Sequence, residues 1–219
     1  MMAVHQTTQT WTPRLAIRTT AIWLMVVLGS VSSVAQAMFF THAVVHLRDL
    51  GFSAATAGLV ISASALSTLL GKIFIGLVGD RIEPRLLNGL AYALLGVGLI
   101  LLLHPTSLST ILSIGTLAGL SIGMQVACEP LLIGNYYGTA VFPFLSAMRA
   151  FFTAPTAAIL STLAGRWFDL TGSYRMAFGG TGTICLLAAS VFVLFLRPPH
   201  TAQAALDTIA ADEVTTSLR

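Results

Sequence analysis

Six apolar runs divide this chain, separated by short polar or turn-forming stretches. They predict six helices at about 19–47, 53–79, 86–103, 107–133, 141–164 and 175–196. Each is near the roughly 20 residues that cross a 30 Å hydrocarbon core at about 1.5 Å per residue. Arg48-Asp49-Leu50-Gly51-Phe52 leads into Ser53, a residue type that caps helix N-termini. His104-Pro105 ends the third run and Gly134-Asn135 the fourth; residues 165–174 form a loop after the fifth, and Arg197-Pro198-Pro199 closes the sixth. Residues 1–18 are a polar N-terminal segment, and residues 198–219 a polar tail expected to fray. Ala35-Gln36-Ala37 has the form of a signal-peptidase site, but the apolar run continues through Met38-Phe39-Phe40. A signal core spans only roughly 7–15 residues, so a retained helix is expected.

Composition turns these runs into membrane spans. Of 219 residues, 56% are hydrophobic and 9% charged, with a mean hydropathy of +0.87. Soluble domains carry about 25% charged residues. So little polar covering cannot hide this much apolar surface from water, whereas lipid requires no covering. The sequence therefore reads as an all-α membrane protein with the bilayer as its first partner. A pI near 9.2 raises nucleic acid as another, but the net charge is only +3 and the cations lie at the ends of the runs. No nucleic-acid partner is expected. Six crossings put both termini on one side, with Arg14, Arg18, Lys72, Arg81, Arg85, Arg197 and Arg219 there and Arg48, Arg166 and Arg175 opposite. The positive-inside bias then makes both termini cytoplasmic. Cys128 and Cys185 sit inside apolar runs without metal or redox spacing and read as small core residues.

The second run closes on Gly76-x-x-x-Asp80 and the fifth on Gly165-x-x-x-Asp169. The second run holds the same place among the first three as the fifth does among the last three. Three helices threaded one way and three the other form a 3+3 inverted repeat, the building unit of a transporter half.

The turn after the second run resembles the loop signature of the major facilitator superfamily of transporters, G-x-x-x-D-R-x-G-R-R. Gly76, Asp80, Arg81 and Arg85 stand at its first, fifth, sixth and last positions; Glu83 replaces its second glycine and Pro84 its first trailing arginine. Ala164-Gly165-Arg166-Trp167-Phe168-Asp169-Leu170-Thr171-Gly172-Ser173-Tyr174 is similar to the AGxxFDxTGSY stretch of bacterial monocarboxylate-type and oxalate/formate-type facilitators. Gly134-Asn135-Tyr136-Tyr137-Gly138 resembles their aromatic-glycine turn, and residues 47–53 their loop after the seventh helix. The resemblance covers about residues 20–197 and is to the C-terminal six-helix half. It implies a half-bundle of the facilitator fold in a bacterial inner membrane, with no enzymatic activity and no cofactor. The implied function is secondary transport, symport included, of a small organic anion such as a monocarboxylate by alternating access. A second six-helix half is then required, from a homodimer or a separate N-terminal half. The competing reading is a truncated or regulatory membrane half without transport of its own.

Arg149 is the sharpest candidate for chemistry. It lies about nine residues into the fifth run, near the bilayer centre. A central Arg costs about 2.5–3.5 kcal/mol, so it should face a wet cavity or a partner. The resemblance implies a substrate-binding role toward a carboxylate; snorkelling, or pairing with Glu129, competes with that. Gln125 and Glu129 share a helix face one turn apart, Gln125 as a cavity residue and Glu129 as a proton-coupling carboxylate or a structural partner of Arg149. Gln36 and Ser32 are further substrate-binding candidates. Gly76, Asp80, Arg81 and Arg85, with Gly165 and Asp169, form the expected conformational latch, beside the simpler reading of a topology-setting loop. Lys72 snorkels most simply.

Other patterns carry less. Gly115, Gly119 and Gly123 make a small-residue packing seam. Gly119-Leu120-Ser121-Ile122-Gly123 matches a hydrolase elbow in letters only, because that motif needs a strand-to-helix turn. His42 and His46 are four apart but have no third ligand, so no metal is expected. Phe151, Phe152, Trp167 and Tyr174 read as packing or interfacial aromatics.

Overall fold

A computed structural model describes residues 4–199. Most of the sequence-predicted tail, with Arg219, lies outside the described residues. The elements are α1 (Pro13–Ala16), α2 (Thr20–Asp49), α3 (Ala54–Val78), α4 (Pro84–Leu101), α5 (Leu108–Tyr137), α6 (Phe142–Thr171) and α7 (Arg175–Phe195). Helices α2 to α7 are each long and apolar enough to cross a membrane.

Local chemistry sets most of the helix starts. Ser53 Oγ accepts from the Thr56 amide at 3.1 Å and Ser107 Oγ from the Thr110 amide at 3.3 Å, each satisfying an orphan donor of the first turn. Pro84 opens α4, where its missing N–H costs nothing. Two helix ends differ from the sequence reading. Helix α5 runs through Gly134-Asn135 and stops at Gly138, φ 77°. Helix α6 runs past Gly165 and stops at Gly172, φ 67°, so residues 165–171 are helical and not a loop. Glycine and asparagine break helices by handing the backbone to water. Here the backbone keeps its internal bonds through both stretches, and each helix stops at a glycine of positive φ. Burial of Tyr136 and Tyr137 also rewards the extra turn of α5.

The helices pair as an inverted repeat requires. Helices α3 and α5 run parallel: a Cβ built on Gly115, Gly119 or Gly123 would land on the backbone carbonyl of Val60, Ser64 or Thr68. Both helices advance four residues per contact, so their backbones touch along the whole seam. The counterpart pair, α6 and α2, is also parallel, with Trp23 against Phe152 (5.7 Å between rings) and His42 against Ser161. Helices α4 and α7 cross antiparallel, Gly89 facing Ala189 and Gly96 facing Gly182. Exchanging α2, α3, α4 for α5, α6, α7 maps this set of pairings onto itself. The halves are unequal in one respect. Helices α2 and α6 lack a glycine seam, and an apolar groove of about 620 Å3, lined in part by Val31, Val34, Phe152, Leu160 and Ile184, opens between them and α7.

At one end of the bundle, here the near end, lie the N-terminal segment, the α3–α4 and α5–α6 turns and the close of α7. The segment is docked rather than free. The His5 amide donates to Glu83 Oε2 at 3.0 Å, the Thr7 amide to the Asn135 carbonyl at 2.8 Å, and Trp11 is buried against Tyr137. At the far end Tyr174 stacks on Phe168 with ring centres 4.2 Å apart. Burial pushes its hydroxyl above the ordinary tyrosine value, and the neighbouring Asp49 and Asp169 charges push the same way.

Candidate functional site

Helix α2 offers Gly29, Ser32 and Gln36 at steps of three and four, and α5 offers Ser121, Gln125 and Glu129 at steps of four. Each set therefore makes a polar stripe along one face. The two stripes meet. Gln36 Nε2 donates to Ser32 Oγ at 2.9 Å, Ser32 Oγ donates to Gln125 Oε1, and Gln125 Nε2 donates to Ser121 Oγ at 2.8 Å. One turn nearer the near end, Arg149 reaches over from α6 and its Nη2 donates to Glu129 Oε1 at 2.6 Å. The guanidinium lies against Gly29, where a methyl would sit 2.7 Å from Nη2. Tyr92 of α4 donates to the Leu28 carbonyl at 2.7 Å and holds that stretch of α2 from behind. The structure thus brings Ser32, Gln36, Gln125, Glu129 and Arg149 into one seam between the two repeats.

Arg149 and Glu129 form the one ion pair among the described residues, with side-chain exposures of 12% and 30%. Arg149 is not central along its own helix. It lies about 10 Å from the start of a helix about 45 Å long, because α6 extends beyond Ala164 to Thr171. Of the roles open to it, pairing with Glu129 is the one the structure displays. A guanidinium carries five N–H donors and can grip a carboxylate with two of them. An incoming carboxylate would meet the same guanidinium beside Glu129.

The latch candidates do not gather in one place. Gly76 faces open space on α3, and Asp80 and Arg81 are exposed in the α3–α4 turn. Arg85 instead donates from Nη1 to the Leu196 carbonyl at 3.1 Å, capping the end of α7. Gly165 and Asp169 lie at the far end, inside α6 rather than in a loop, beside His42 in a groove of about 370 Å3. His42 and His46 make separate ties, through Nε2 to the Ser161 carbonyl at 3.2 Å and through Nε2 to the Leu102 carbonyl at 3.1 Å.

Four residues of this neighbourhood escape the sequence reading. Glu83 is buried and accepts from Tyr136 Oη at 3.0 Å as well as from the His5 amide. Its place in the loop signature, where glycine belongs, is a signal in itself. Ser121 sits in the hydrolase-like pentad, but its position four residues before Gln125 marks the same stripe. Tyr92 and Asn88, four apart in α4, are polar residues in a leucine-rich span.

The family model of the Major Facilitator Superfamily matches residues 22–217. Monocarboxylate transporter 13 of Bos taurus is 26% identical over 170 residues, covering 74% of this chain and 38% of the relative. Monocarboxylate transporter 13 of Rattus norvegicus is 28% identical over 171 residues, covering 74% and 37%. The chain thus spans less than two fifths of the length of these curated relatives.

Proposed function

This chain belongs to the Major Facilitator Superfamily, and on that footing we propose that it carries a small organic anion of the monocarboxylate class across a membrane as one half of an alternating-access transporter. It is a multi-pass membrane protein. In the proposed arrangement the cation-rich near end faces the cytoplasm of a bacterial cell. A second six-helix bundle, from another copy or another chain, faces the seam. The two bundles rock about the anion held between them.

One observation carries this reading: Arg149 is positioned at the junction of α2, α5 and α6 by a carboxylate, at the end of a continuous polar stripe. A cation already matched to a carboxylate is matched to a carboxylate substrate. When the anion takes Arg149, Glu129 is released from its partner, and in this reading it is the carboxylate that carries the coupled proton. Anion and proton then move together, which is symport. The relatives' printed name, monocarboxylate transporter, supports the substrate class.

The test is uptake by proteoliposomes of a panel of small carboxylates, with the chain alone and with its co-purifying partner. Arg149→Ala is expected to abolish uptake, and Arg149→Lys to retain part of it. Uptake by Arg149→Ala at the wild-type rate removes Arg149 from the site. No uptake by any assembly favours the regulatory half without transport of its own.

A further inference from the structure

The Arg149–Glu129 pair has an inner side. A cavity of about 10 Å3 lies within the bundle, lined by Met25, Asn88, Glu129, Ile133, Arg149 and Phe192 among others. Asn88 is fully buried, and neither its Nδ2 nor its Oδ1 has a hydrogen-bond partner among the described residues; Arg149 Nε is in the same position. Buried amide groups are nearly always paired. Asn88 neither caps α4 nor bridges to another side chain, so the span gains nothing from it unless something occupies the cavity.

Water is the occupant that fits. A cavity of roughly 10–15 Å3 is about the least that admits one, and a buried water needs two to four polar partners. Asn88, Arg149 and Glu129 all line this cavity, and Asn88 Nδ2, Asn88 Oδ1 and Arg149 Nε are buried polar atoms still without partners among the described residues. A water both donates and accepts, so it suits the unpaired donors and the unpaired acceptor alike. No larger ligand can enter.

We propose that this cavity holds one water molecule, through which Asn88 grips the Nε edge of Arg149 and keeps the terminal nitrogens turned toward Glu129 and the anion. Asn88 is thus a positioning residue. That role rests on Arg149 being the anion site, whereas the water site does not.

The test uses the protein in nanodiscs with nitrogen-15-labelled arginine, the Arg149 Nε–H resonance being assigned by its loss in Arg149→Lys. The wild type is expected to show cross-relaxation from this proton to a long-lived water. Asn88→Leu should lose the signal, and Asn88→Ser, which keeps a hydroxyl and leaves room, should retain it. A wild type without the water signal, or Asn88→Leu that keeps it, overturns the site. Titration with lactate then reads the positioning role. Asn88→Leu should weaken the response of the Arg149 resonance roughly tenfold, the scale of one lost hydrogen bond, and Asn88→Ser should restore most of it. Equal affinity in Asn88→Leu removes the positioning role. A water signal in a wild type whose Arg149 resonance ignores lactate, acetate and oxalate leaves the water site standing and sinks the anion reading.

Discussion

Arg149 owes its place to a residue without a side chain. Gly29 lets the guanidinium lie flat against α2, and a methyl there would meet Nη2 at 2.7 Å. The end of an arginine is flexible, so the fold should absorb Gly29→Ala with a change within about 1 kcal/mol. The guanidinium would be displaced from Glu129, and anion affinity measured by equilibrium binding should fall. Unchanged affinity would mean that the bound anion does not use this rotamer. Residues joined within one helix were legible in the sequence: Ser32 with Gln36 and Gln125 with Glu129 share faces by spacing alone. Asn88 was not, and Glu83 stood out only as a departure from the loop signature, because their partners come from other elements, in Arg149 and in the His5 amide. No spacing rule reaches across tens of residues to a partner that only folding supplies.

At the scale of elements, the seam between α3 and α5 is where two backbones come into direct contact along several turns. Gly119→Ala would drive a methyl into the Ser64 backbone, which cannot move aside as a side-chain tip can. It should cost about 1–3 kcal/mol, as overpacking does, read as a lowered midpoint of thermal unfolding in detergent. Gly76→Ala meets open space on the same α3 helix and should stay within about 1 kcal/mol of wild type. Equal loss from both would mean that the seam is not in backbone contact. The docked N-terminal segment gives a second test. Glu83→Ala removes the acceptor of the His5 amide and of Tyr136, so tryptic cleavage at Arg14 and Arg18 should become faster, with cleavage at the exposed Arg81 as the internal control. The spans themselves were plain in the sequence because lipid dictates their length. Their ends at 134–137 and 165–171 were not, since Gly134 and Gly165 only lower helix propensity, and the stops fall instead at Gly138 and Gly172, whose φ is positive.

On the scale of the whole molecule, the inverted repeat places related helices in related surroundings, and the two least buried spans are the related pair α3 and α6. Their outer faces expose Leu66, Leu70, Leu77, Phe151, Ile159 and Leu170. That is the surface on which the proposed second bundle would rock, and lipid alone would also accept it. The repeats part company at their seams, glycine-locked between α3 and α5 and open between α2 and α6. Helix α6, which carries Arg149, is thus the span least constrained by the rest. A mobile α6 against a fixed α5 would make and break the Arg149–Glu129 pair, tying the residue-scale exchange to motion of the whole assembly. The direct measurement is lactate uptake into proteoliposomes of the assembled protein, with and without an inward proton gradient. The wild type should accelerate with the gradient, Glu129→Gln should still exchange anion but ignore the gradient, and Arg149→Ala should do neither. Gradient-driven uptake by Arg149→Ala at the wild-type rate would contradict the account.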